Sequence, residues 1–167
     1  MSVSAAELIH HYQLQSHPEG GYYSETYRSL ELIPSYALPQ RFRGARNFST
    51  AIYFLLEQKS YSAFHRIQSD ECWHFYLGGT LVIYIIYPDG ELATISLGSN
   101  IQMGETFQFI VPANCWFASE PAENVQFSFV GCTVAPGFAF EDFEMAKREE
   151  LINLYPQHAD VINRLTR

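Results

Sequence analysis

The side chains best suited to chemistry lie in the run Ser62-Ala63-Phe64-His65-Arg66-Ile67-Gln68-Ser69-Asp70-Glu71-Cys72-Trp73-His74-Phe75-Tyr76-Leu77-Gly78. The run reads as two short strands joined by the polar turn Gln68-Ser69-Asp70. Strand alternation puts His65 on one face with Ala63 and Ile67, and Glu71 on one face with Trp73 and Phe75. If both faces point into one barrel, an imidazole and a carboxylate meet inside it. A buried ionisable pair is costly unless it is hydrogen-bonded, paired or metal-bound. The pair therefore suggests ligand binding, acid-base chemistry or part of a metal site, against the plainer reading of a satisfied contact that holds two strands in register.

The elements that would position this pair follow from the punctuation of the chain. Turn signals recur every 8 to 12 residues between apolar runs, the pattern of a sandwich or barrel. Expected strands cover 22–28, 49–56, 62–67, 71–76, 81–87, 92–97, 106–111, 115–119 and 125–134, and Pro88-Asp89-Gly90 is a hairpin signal. Leu81 to Tyr87 is apolar on both faces, so the opposing sheet and a second subunit are expected to cover it. Ser4-Ala5-Ala6-Glu7 is a capping box that opens a helix to about Leu14. His10 and His11 on that helix read as solvated. Pro18 and the pair Gly20-Gly21 end it. Beyond Gly137, Phe143, Ala146, Leu151 and Leu154 predict a helix from about Glu141, and Pro156 opens another with Val161, Ile162 and Leu165. The expectation is one domain over 1–167: a helical N-terminus at 4–15, a barrel over about 20–136, and C-terminal helices over about 141–166 packed outside.

Composition narrows the partners. A net charge of −8 repels a phosphate backbone and argues against nucleic acid. Cys72, Cys115 and Cys132 are odd in number and lack CxxC spacing, which argues against a disulfide framework and for reduced thiols in the cytoplasm. The first residues show no signal-peptide pattern and no run is apolar enough for a bilayer, so no membrane is expected. Charged residues at 17% fall below the usual quarter, which hints at a subunit interface. The segment from Leu30 to Asn47, with Arg41, Arg43 and Arg46, is long enough to be a lid, a solvated loop or a subunit contact. On the strand from Tyr22, Tyr23, Glu25 and Tyr27 share one face and Ser24, Thr26 and Arg28 the other, with the inward set left open.

The spacing from His65 through Ile67 and Glu71 to Gly78 resembles the first motif of the cupin superfamily, with Lys59 at its first glycine and Ile67 at its second histidine. Gly104 through Pro112-Ala113-Asn114-Cys115-Trp116-Phe117 resembles the second motif, with Asn114 at a glycine and Phe117 at its histidine. Together with His17-Pro18-Glu19-Gly20-Gly21-Tyr22, these runs resemble the cupin_5 group, a domain family of unknown function. The resemblance implies an all-β core, a double-stranded β-helix jelly roll with a ligand pocket inside, and a homodimer. Two of four metal-ligand positions are lost, so no cofactor is expected. If a metal ion is bound, the set would be His65, Glu71 and Cys115.

The pocket is expected to be framed by His65, Glu71 and Trp73, with Cys115 and Phe117 opposite, and to take a small polar or sugar-like molecule. Trp73 and Trp116 are read first as core, with stacking on a ligand as the sharper option. Whether the protein is an enzyme stays open. A metal-free isomerase or epimerase using His65 and Glu71 for proton transfer is the alternative, a metal-dependent cupin enzyme the third reading, and a structural or storage role the fourth.

Overall fold

Frequent turns between apolar runs fold the chain into two antiparallel sheets packed face to face, seen in a computed structural model that describes residues 3–167. Met1 and Ser2, where the expected domain begins, lie outside the described residues. The order is α1 (Ala5–His11), β1 (Gln15–Ser16), β2 (Tyr22–Arg28), β3 (Leu32–Ile33), β4 (Arg46–Asn47), β5 (Thr50–Glu57), β6 (Ser62–Arg66) and β7 (Asp70–Gly78). It continues through β8 (Leu81–Ile86), β9 (Leu92–Leu97), β10 (Gln108–Val111), β11 (Trp116–Pro121), β12 (Phe127–Ala135), β13 (Glu144–Met145), α2 (Arg148–Leu154) and α3 (Ala159–Arg164).

One sheet runs β1-β2-β5-β12-β7-β10 and the other β13-β6-β11-β8-β9, while β3 and β4 form a small ribbon. The non-sequential neighbours β12 beside β5 and β7, and β11 beside β6 and β8, are those of a jelly roll. Inward residues at every second position, among them Phe54, Leu56, Trp73, Ile83, Ile85 and Phe117, fill the space between the sheets. Pro88-Asp89-Gly90 turns as its residues require: Gly90 sits at φ 89 and the Tyr87 amide donates to the Glu91 carbonyl at 2.9 Å.

The capping box forms, with the Glu7 amide donating to Ser4 Oγ at 3.3 Å and the Ser4 amide to Glu7 Oε2 at 2.8 Å. The helix stops at His11, short of the expected Leu14, because Gln13 turns to φ 51 and Leu14 joins Leu8 in packing on Leu55 and Phe129. Two further differences matter. The outer face of β8 is covered by the chain's own C-terminal helices: Ile86 packs with Leu151, Ile162 and Leu165, so no second subunit is needed there. The expected helix from Glu141 begins only at Arg148. Phe138, Phe140 and Phe143 turn toward the barrel mouth, and Glu144–Met145 pairs with the edge of β6. That spacing serves an aromatic strap, and the helical period starts after it.

Candidate functional site

A cavity of about 140 Å³ opens at one end of the barrel, lined at depth by Glu19, His65, Glu71 and Cys132 and nearer the mouth by Tyr23, Glu25, Arg28 and the strap phenylalanines. Glu19 reaches it from the turn after β1. Gly21 stands there at φ 72, and a Cβ on it would lie 2.6 Å from the Leu55 carbonyl oxygen. Only glycine lets the chain pass so close to β5. The Ala63 amide then donates to the Glu19 carbonyl at 2.8 Å, which fixes the turn against β6.

The Glu19 carboxyl is buried and fully engaged. Ser62 Oγ donates to its Oε1 at 2.9 Å, while Oε2 lies 3.1 Å from His65 Nε2 and 3.4 Å from His17 Nδ1. His65 Nδ1 lies 2.8 Å from the Ala63 carbonyl, which can only accept, so Nδ1 carries a proton. A bond between His65 Nε2 and Glu19 therefore needs one more proton, held by either partner. Burial, the largest influence, pushes the Glu19 carboxyl up and the His65 imidazole down, as it does His17. The favoured arrangement is a neutral acid donating to a neutral imidazole.

Glu71 comes in from β7. Burial raises its carboxyl to about 7, opposed by the nearby His65 and by the Cys132 thiol, and reinforced by Glu19. Among the described residues the weak S–H of Cys132 is the hydrogen-bond donor beside it, and that thiol is itself pushed well above its usual range by burial and by Glu71. The deep end thus holds a carboxyl that can change protonation near neutrality next to a dyad that shares a proton.

At the mouth, a register shift in β2 between Glu25 and Tyr27 re-aims the strand. It brings Arg28 to the cavity beside Glu25, although strict alternation assigns them opposite faces, and leaves Tyr27 outside. Arg28 Nε and Nη2 donate to Glu25 at 3.1 and 2.7 Å, and Nη1 to Asn47 Oδ1 and the Phe138 carbonyl at 2.9 and 3.0 Å. The Leu30–Asn47 segment supplies no arginine to the cavity lining. Arg46 is instead buried in a two-pronged pair with Asp142, both bonds 2.6 Å, with Glu141 at 2.7 Å. It anchors the strap. Arg41 donates to the Gln68 carbonyl.

Of the residues singled out in the sequence, His65 and Glu71 meet at the cavity, whereas Trp73, Cys115 and Phe117 do not line it. Trp73 is buried edge-on to Phe54 and Phe117 in the core, and the Phe117 ring packs 4.1 Å from that of His65, behind the cavity wall. Cys115 sits at the turn before β11, where Asp70 and Asp89 are the charges that bear on it. The thiol beside Glu71 is Cys132, on β12. His65, Glu71 and Cys115 are thus not assembled, and no group of three or more His, Cys, Asp or Glu among the described residues is placed to hold a metal ion.

Lys59 and Asn114, where the family motifs have glycine, take φ 65 and 66, so the backbone keeps the left-handed conformation that glycine would supply. Glu19, Cys132 and the strap escaped the sequence reading. The available signal for Glu19 was an acid directly before a Gly-Gly pair. No helix among the described residues is long and apolar enough to cross a membrane.

Comparison with known proteins agrees with this architecture. The chain is 33% identical over 156 residues to the uncharacterised protein YML079W of Saccharomyces cerevisiae, covering 88% of this chain and 77% of that one. The crystal structure of protein SO0799 from Shewanella oneidensis superposes with a TM-score of 0.88 at 42% identity, over 99% of this chain and 98% of that one. A hypothetical protein from Leishmania major gives 0.88 at 33% identity, over 98% and 99%. Oxalate decarboxylase from Bacillus subtilis shares the fold alone, with a TM-score of 0.55 and 14% identity over 90% of this chain and 36% of that one. Residues 6–146 match the Cupin_5 model, described as Cupin superfamily (DUF985), and the chain belongs to that family.

Proposed function

We propose that the protein binds a small polar or sugar-like molecule inside the barrel, without a metal, and that it works as a homodimer. The observation that carries the binding reading is the cavity of about 140 Å³, apolar along its walls and polar at its closed end. A cavity of about 150 Å³ holds one benzene ring, so a single six-membered ring is the right scale. Few convergent polar groups in an apolar pocket are the usual binding-site profile. Amide NMR titration with sugars, polyols, amines and carboxylates tests it. The expected outcome is shifts at His65, Cys132 and Phe138 with at least one class. A panel that moves none of these residues would remove the reading's support.

One observation favours a second reading, an isomerase or epimerase. His65 and Glu71 are adjacent groups whose environments push imidazole and carboxyl in opposite directions, the pattern of assigned acid-base partners. Because His65 Nε2 is taken by Glu19 and Nδ1 by the Ala63 carbonyl, Glu71 is the group free to take a proton from a carbon next to a carbonyl and, as the carboxylic acid this forms, to return it to the neighbouring carbon, with His65 positioned beside it. Incorporation of solvent deuterium into ketose or aldose substrates, abolished by Glu71→Gln, is the expected sign. Exchange that survives the substitution sinks this reading.

A further inference from the structure

We propose that the ligand of this cavity carries a protonated amine, seated against Glu71 and walled by aromatic rings. The inference rests on the binding reading above and narrows it to a chemical class. Three carboxyl groups, Glu19, Glu25 and Glu71, line it against one guanidinium, Arg28. Arg28 is not free to meet an anion, because four of its five N–H groups are already given to Glu25, Asn47 and the Phe138 carbonyl. A carboxylate or phosphate entering the cavity would meet no unengaged cation among the described lining residues.

The acids differ in what they still lack. Glu25 is held by Arg28, and Glu19 by Ser62 and His65. Glu71 is 92% buried, borders the cavity, and among the described residues has only a thiol as hydrogen-bond donor beside it, so its carboxylate is short of donors on the ligand side. The complement of an underbonded buried carboxylate is a group with several N–H donors and a positive charge. The walls agree: Tyr23, Phe54, Phe138 and Phe143 present rings around the same space, and aromatic faces attract cations. A neutral hydroxyl could donate one bond to Glu71 but would leave its charge uncompensated.

The groups facing Glu71 are His65 from β6, Glu19 from the turn after β1 and Cys132 from β12. None of them is a fixed cation, so an ammonium would be the first, and its arrival favours ionised Glu71. Binding then expels a proton when Glu71 starts protonated.

The test uses two isosteric sets on the full chain, cyclohexylamine, cyclohexanol and cyclohexanecarboxylate, and glucosamine, glucose and glucuronate, by isothermal titration calorimetry. The amine of at least one set is expected to bind ten-fold or more tightly than its neutral and acidic partners at pH 6.5, and the affinity of cyclohexylamine, which stays protonated throughout, is expected to rise between pH 6 and 8. Titrations at pH 6.5 in buffers of different ionisation enthalpy should report proton release. Glu71→Gln should erase the amine preference while a neutral member still binds. Where that variant does not fold, the proton release of the wild-type protein decides alone. Neutral or acidic members that bind as well as the amines, or amine binding with no proton released, overturn this inference and leave the binding reading standing. If no member binds and no cavity amide shifts in the NMR panel, both fall.

Discussion

Glu71 is where the folded state stands at odds with its own stability. Its carboxyl is raised from 4.5 to about 7, so folding favours the protonated form. The sign follows from linkage: the group's contribution is fully present below pH 4.5 and is lost as pH rises through 7. At pH 8 the ionised, buried carboxylate costs on the order of 3 kcal/mol relative to a neutral group. Glu71→Gln, neutral at every pH, is therefore expected to stabilise the protein at pH 8 by roughly 2 kcal/mol, several degrees in Tm, and to change little at pH 5. Thermal unfolding of both proteins at the two pH values checks it, and equal destabilisation at both would mark Glu71 as a satisfied structural group. His65 and Glu71 were legible in the sequence because their spacing and strand parity are local properties. Glu19 was not. It reaches His65 from 46 positions away through a turn whose left-handed glycines name a bend without saying what the bend delivers.

At the scale of elements, what the sequence left open is how the mouth is built. The strands were readable nearly end to end, since turn residues and alternation fix them locally. The β2 register shift and the strap were not, because each depends on a partner distant in sequence. Arg28 is turned inward by pairing with β5, and Phe138, Phe140 and Phe143 are gathered because Arg46 draws Asp142 into a buried bidentate pair. Arg46 and Asp142 are 97% and 93% buried, so removing one leaves the other's charge uncompensated. Arg46→Ala is expected to destabilise the protein by about 3–5 kcal/mol and to speed amide exchange at 138–145 more than in the β5–β12 ladder. Urea denaturation with hydrogen exchange measures both. Uniform exchange across the barrel would show that the pair supports the whole fold and not the strap in particular.

Across the whole molecule, the two outer sheet faces are treated differently. The C-terminal helices seal the five-stranded sheet, with Ile162 and Leu165 fully buried, while α1 and the turn after it cover only the β5–β12 region of the six-stranded sheet through Leu8, Tyr12 and Leu14. Beyond α1, towards the β10 edge, Tyr76, Leu77, Phe107 and Ile110 are 41–55% exposed. Ile110 lies opposite Cys72 in the β7–β10 ladder, on the outward parity that His74 shares, so a polar strip and exposed apolar side chains run together to an unpaired strand edge. Exposed edges and contiguous apolar patches are ordinarily covered. In the homodimer proposed above, a second copy would do this symmetrically, each β10 region against its counterpart, which suits a chain with few charged residues. Ile110→Glu places two like charges at or near such a two-fold contact and is expected to shift sedimentation from twice the chain mass to once, with Tm in dilute solution little changed because Ile110 contributes nothing to the inner core. A variant that still sediments as a dimer places the interface elsewhere, and a wild-type protein that sediments as a monomer removes the homodimer from the proposal while leaving the cavity and its chemistry intact.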